Sequence, residues 1–114
     1  MEFVALIHGD ENAWESASED EQRAIMQRYM DFSQHDEVVG GAELQSTTAA
    51  TTVRTRDGDR TVTDGPYAET KEALGGLFIL ECDSIDEACR LAAEIPAAEH
   101  GAIEVRPVYV REES

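Results

Sequence analysis

Two segments of this chain are apolar at both alternating sets of positions: Phe3 to His8 (FVALIH) and Leu77 to Cys82 (LFILEC, with Glu81 the exception). A strand with one solvated face alternates apolar with polar residues. A strand without that alternation is covered on both sides. The rest of the chain offers little to cover them. Ser18-Glu19-Asp20-Glu21 is a capping box, with Ser18 placed to accept from the backbone and Glu21 to reach back. Behind it Ile25, Tyr29 and Phe32 recur at helical spacing, Met26 and Met30 widen the stripe, and the helix is expected to end near His35. A second capping box, Ser84-Ile85-Asp86-Glu87, opens a stripe of Ile85, Ala88, Cys89, Ala92 and Ile95 that Pro96 stops.

Further strands fall between and after these helices. Val38-Val39-Gly40-Gly41 turns the chain into a short strand around Ala42–Gln45. Thr51 to Arg56 and Arg60 to Asp64 flank Asp57-Gly58-Asp59, and β-branched residues about an Asp-Gly turn predict a hairpin. Asp64-Gly65-Pro66-Tyr67 reads as a turn, because Pro fixes its own φ and restricts the Gly before it. Ala68 to Leu74 is expected to form a single helical turn, Gly75-Gly76 opens the second two-faced strand, and Ile103 to Val110 is the last strand. The chain ends in Glu112-Glu113-Ser114.

The order β-α-β-(β-β)-β-α-β predicts one α+β domain over residues 1–114, a four-stranded antiparallel sheet with two helices on one face. Nothing remains to cover the second face of Phe3–His8 and Leu77–Cys82. Self-association is the simplest answer, two sheets packing face to face across a two-fold axis. The sequence thus predicts a homodimer.

Charge narrows the partners. Acidic residues number 25 against 9 basic ones, a formal net charge of -16, and Lys71 is the sole lysine. Such a surface repels phosphate backbones and anionic lipid, so neither nucleic acid nor membrane is expected as a partner. Two explanations of the acidity stay open: a lineage that prefers Arg to Lys, or adaptation to high salt, where self-repulsion is screened. No apolar run reaches the roughly 18 residues of a membrane span. The start, MEFVALIHGDE, lacks the basic opening of a secretory signal. A cytoplasmic location is expected.

Cys82 and Cys89 stand seven apart, with no Cys-x-x-Cys pair and no His at ligand spacing, and read as two small apolar residues in a reducing compartment. Asp10-Glu11-Asn12 begins like a calcium loop, but its sixth position is Glu15 where such a loop needs Gly. There is no phosphate-binding glycine loop, His-Glu-x-x-His or nucleophile elbow. The expectation is therefore no metal and no cofactor.

The stretch Asp64-Gly65-Pro66-Tyr67-Ala68-Glu69-Thr70-Lys71-Glu72, followed by Leu74-Gly75-Gly76, resembles the DGPFAETKE signature of the DGPF branch of the YCII-related family, departing at Tyr67 for Phe. The opening strand ending in His8-Gly9-Asp10-Glu11 and the closing Ile103-Glu104-Val105-Arg106-Pro107-Val108 resemble the family's two ends. The resemblance covers essentially the whole chain. It implies a dimeric α+β barrel built from ferredoxin-like halves, which agrees with the two-faced strands. The family is linked to a pocket lined by polar residues, and one branch to dehydrochlorination of a chlorinated hydroquinone. Related barrels include muconolactone isomerases and small monooxygenases. Members of the DGPF branch are often encoded beside sigma factors of the extracytoplasmic-function type. Fold-level analogy alone fixes no substrate.

Six residues are candidates for a site. His8, ending an apolar strand, is either bonded to a neighbour or a general acid–base, since imidazole titrates near neutral pH. Asp64 is either an Asx-turn residue or a pocket carboxylate that orients His8 or takes a proton itself. Tyr67 adds a hydroxyl where the motif has Phe. Glu69 and Lys71, with Glu72, form either a solvated turn or a charged rim in which Lys71 holds an anionic oxygen. Arg106 is an ion-pair partner on the sheet or an anion clamp. His35 is read as a helix-end cation, His100 as a loop residue, and Trp14, in the loop after the first strand, as a roof over the pocket or a staple for the helix. His8, Asp64 and Tyr67 are expected around one cavity between sheet and helices, with Lys71 or Arg106 near its mouth and with His8 and Asp64 as the acid–base pair. Two functions fit: a small cofactor-independent enzyme of isomerase or lyase type acting on a small organic molecule, or a ligand-binding or interaction module linked to sigma-factor regulation. A free His8 nitrogen favours the first and a fully bonded one the second.

Overall fold

The structure, a computed structural model, describes residues 1–112. Glu113 and Ser114 of the Glu-Glu-Ser end lie outside them. Strand β1 (Glu2–Gly9) is followed by helices α1 (Glu11–Ser16) and α2 (Glu19–Phe32), then strands β2 (Val38–Glu43), β3 (Thr51–Arg56), β4 (Asp59–Asp64) and β5 (Ala73–Glu81). Helix α3 (Ile85–Ala92) and strand β6 (Ala102–Pro107) close the chain, with 3₁₀ turns at Thr47–Ala49 and Pro96–Glu99. The main sheet has the order β2-β5-β1-β6 with all neighbours antiparallel, the ferredoxin-like arrangement.

The caps form as their chemistry requires. Ser18 accepts from the Glu21 amide at 3.1 Å, and Ser84 from that of Glu87 at 3.2 Å. Helix α2 stops at Phe32, short of His35, whose Nε2 instead meets Glu94 at 3.0 Å. The segment holding Trp14 is a short helix and not a loop: Asp10 accepts from the Asn12 amide at 2.9 Å and starts α1. Asn12-Ala13-Trp14-Glu15 carries no apolar period, which is why the sequence hides it.

The segment from Ala68 to Leu74 contains no helical turn. The Thr70 hydroxyl donates to the Glu72 carbonyl at 2.7 Å, a local bond that competes with helix formation, and β5 already begins at Ala73. The strand near Ala42–Gln45 starts earlier, at Val38, and β6 ends at Pro107. The hairpin is as the Asp-Gly pair dictates: Asp57 and Gly58 both take positive φ, 52° and 82°, the two-residue turn whose twist matches the strands.

The helices cover one face of the main sheet. There Phe3, Ala5, Phe32, Leu80, Cys82, Ala88, Leu91, Ala92 and Ile95 form the core. Phe32 packs on Phe78 with ring centroids 4.9 Å apart. Fully burying each of Phe3, Leu80 and Ile95 contributes about 1.5–3 kcal/mol.

The opposite face carries the second apolar set. Register pairs Val4 with Ile79 and Leu6 with Leu77, so these four side chains share that face, half-buried and outside the helix-side core. Arg106 pairs with Val4 and Glu104 with Leu6 on the same face. The molecule measures 51 × 45 × 18 Å, thin for its width, and its radius of gyration is 16.4 Å. A compact chain of this length has about 13 Å. Much of the excess is the β3–β4 ribbon, which packs on itself and makes no substantial contact with the main sheet or the helices.

Candidate functional site

His8 lies on the bare face. It follows Val4 and Leu6 in alternation, while Phe3, Ala5 and Ile7 point to the helices. The expected cavity between sheet and helices is filled by the core. Side-chain parity decides this, because a residue an even number of places from Val4 cannot reach the Phe3 side. Nε2 of His8 is buried, and among the described residues no group is aligned to hydrogen-bond it. Oε1 of Glu104 stands 3.3 Å away, within ion-pair range but not in bonding alignment. Beside this imidazole the β1–β5 ladder is irregular. Ile7 pairs with Gly76 and His8 with Leu74, so Gly75 is the extra residue of a bulge.

His8 is positioned from below by Gly101. A Cβ at Gly101 would run into the His8 carbonyl oxygen and stand 3.1 Å from Glu72 Oε2 and Gly9 Cα. Only glycine allows the chain entering β6 to pass so close to the end of β1.

A second feature is a cleft of about 300 Å³ at the root of the hairpin, lined by Thr47, Thr48, Gly65, Pro66, Ala68, Glu69, Thr70 and Ala73. Its walls are fixed by backbone and side-chain bonds. The Gly65 amide donates to the Ala50 carbonyl at 2.7 Å, and the Thr52 hydroxyl to the Gly65 carbonyl at 2.8 Å. Glu11 ties α1 to the Thr47 turn, accepting from its amide at 2.8 Å and its hydroxyl at 2.7 Å. The Thr47 hydroxyl and amide hold the Glu11 carboxyl below its ordinary range. Ala73, on the cleft wall, is the register partner of Gly9, so the cleft opens at the end of the sheet where His8 lies.

The six predicted residues divide between these places. His8 and Arg106 share the bare sheet face, and Glu69 lines the cleft. Asp64, the last residue of β4, is exposed, and among the described residues its side chain makes no hydrogen bond. Tyr67 is 79% exposed, and Lys71 is also exposed. Lys71 and Arg106 form no ion pair among the described residues. Three contributors escaped the sequence reading: Glu104 beside His8, Glu11 behind the cleft, and the cleft-lining Thr47. The i, i+2 spacing of Glu104 and Arg106 on an apolar strand was the one available signal.

The thiols offer little chemistry. Burial and nearby carboxylates push the Cys82 thiol up, so it stays protonated and weakly nucleophilic, and Cys89 is an exposed free cysteine. Among the described residues no group of three or more His, Cys, Asp or Glu side chains is arranged to hold a metal. Nor is any helix among them long and apolar enough to cross a membrane.

Sheet order, one helical layer and an uncovered apolar face define a ferredoxin-like α+β protein with a histidine–carboxylate contact on its bare face. Comparison with known proteins gives the family. The model of the YCII-related domain matches residues 1–112. An uncharacterized protein of Rhizobium meliloti (strain 1021) is 37% identical, over 95% of this chain and 92% of that protein. The chain belongs to the YCII-related family.

Proposed function

We propose that the chain is a single-domain, cytoplasmic member of the DGPF branch that works as a homodimer, its bare sheet faces closed on each other. His8 then acts as the acid–base group in cofactor-independent isomerase- or lyase-type chemistry on a small organic molecule. The supporting observation is Nε2 of His8: a ring nitrogen removed from water, bonded to nothing, on an apolar face beside a carboxylate. A structural histidine in such a place would be hydrogen-bonded, since an unpaired buried polar atom costs about 1–3 kcal/mol. In this reading Nε2 is the proton-transfer nitrogen, and the Glu104 carboxylate beside it stabilises the imidazolium that forms when it takes a proton. Asp64 is retained as a second proton-transfer group approaching from the hairpin root. Arg106 and Lys71 hold anionic oxygen, and Tyr67 and Glu69 contact the rest of the substrate.

A general base acts on a proton alpha to a carbonyl, so hydrogen exchange at carbon tests this reading. A panel of small cyclic ketones and lactones in deuterated buffer is followed by NMR with the wild-type chain and His8→Gln. Deuterium entering a substrate carbon with the first and not the second is expected. No exchange above buffer for any of them would sink the enzymatic reading. It would leave the ligand-binding or interaction module, linked to sigma-factor regulation, which one observation favours independently. The cleft at the hairpin root is lined by threonine hydroxyls and one carboxylate, groups that hydrogen-bond a small ligand, with no histidine among its lining residues to activate them.

A further inference from the structure

The β3–β4 ribbon has six residues in each strand, and among the described residues no other element makes substantial contact with it. Thr52 alone of those twelve is even half-buried. An isolated two-stranded ribbon is marginal in water and needs a surface to lie on. Val53 and Val62 are directly opposed at its centre, on one face, and are 59% and 60% exposed. The chain thus carries two uncovered apolar features, this pair and the bare sheet face, and nothing among the described residues covers either.

We propose that the ribbon is an arm that crosses to a second copy of this chain and lies along the rim of its bare sheet face, with Val53 and Val62 as the apolar contact. This rests on the homodimer reading above and extends it. Two arguments choose a second copy as the occupant. The first is area. A stable interface covers about 800 Å² and 20–30 residues on each partner, more than Val4, Leu6, Leu77 and Ile79 supply, and the arm makes up the difference.

The second argument is charge. Within residues 51–64 the arginines Arg54, Arg56 and Arg60 balance Asp57, Asp59 and Asp64, so the whole net charge of -16 falls on the rest of the chain. Two such bodies repel when they approach. The arm is the large segment that reaches the other copy without adding like charge. Arg60, two places from Val62, shares the valine face, forms no ion pair among the described residues and is free to meet the partner's carboxylates.

The test is the dissociation constant of the full chain by sedimentation equilibrium, for wild type, V53T/V62T and R60Q. Threonine keeps the β-branch that suits a strand and removes the apolar contact, so the hairpin itself is spared. The first variant is expected to weaken the dimer by about tenfold, and the second to flatten the salt dependence of its affinity. A dimeric wild type with V53T/V62T within twofold of it overturns the arm and leaves the sheet pairing standing. A monomeric wild type overturns both and assigns the valine pair to another occupant or to water.

Discussion

Nε2 of His8 and Oε1 of Glu104 stand 3.3 Å apart across the β1–β6 pairing, His8 opposite Ala102 and Glu104 opposite Leu6. The two residues are therefore diagonal neighbours on one face, and the face is the one without helices. Contact without alignment adds little to stability: Glu104 is about half exposed, and exposed ion pairs are worth about 0–1 kcal/mol. His8→Ala is accordingly expected to change the unfolding free energy by less than about 1 kcal/mol in urea titration, while abolishing ligand binding or turnover. A loss of several kcal/mol would make His8 a structural residue.

Gly101 gives a sharper structural test. Gly101→Ala forces a methyl group onto the His8 carbonyl oxygen and is expected to cost about 1–3 kcal/mol as the end of β1 moves. Gly9, whose Cβ would meet nothing within 4 Å, serves as the control. Gly9→Ala should leave the urea midpoint nearly unchanged. Equal effects at both positions would contradict the packing described around His8.

Glu11 makes the hairpin root sensitive to acid. Its folded pKa is lowered below the ordinary 4.5 by the Thr47 hydroxyl and amide. A lowered carboxylate pKa contributes stability that is fully present above the unfolded value and is lost as pH falls through the folded one. Glu11→Gln is therefore expected to melt a few degrees below wild type at pH 7 and to match it near pH 2. Thermal melts at the two pH values decide, and a gap that persists unchanged in acid would assign the effect to packing instead.

Salt should stabilise the chain. With a net charge of -16, raising potassium chloride to a few tenths molar screens self-repulsion and is expected to raise the melting temperature. A rise that continues into the molar range indicates high-salt adaptation, since screening is complete well before that. A flat or falling curve from low salt upward contradicts both explanations of the acidity as a folding burden.

Much of the fold was legible because its signals are local. The Ser18 and Ser84 caps, the Asp57-Gly58 turn and the apolar strands each depend on neighbours within a few residues, and each appears where expected. The glutamates do not complete the boxes, since Glu21 accepts from the Ser18 hydroxyl and Glu87 from the Asp83 amide. Helix α1 was hidden because six residues leave no room for a period, and Asp10 was weighed as a metal ligand when it is a cap. The site was less legible. Alternation along β1 places His8 with Val4 and Leu6, a parity available from the sequence, yet which of the two apolar faces meets the helices is settled only by packing. Glu104 reaches His8 through the β1–β6 register, and no local pattern specifies register between strands so far apart in sequence.

The central claim is that a second copy covers the face holding Val4, Leu6, His8, Leu77 and Ile79. Sedimentation equilibrium of the wild-type chain at micromolar concentration tests it directly. The account predicts a particle of twice the 12.5 kDa chain mass. A stable, folded monomer of 12.5 kDa across that range would contradict it.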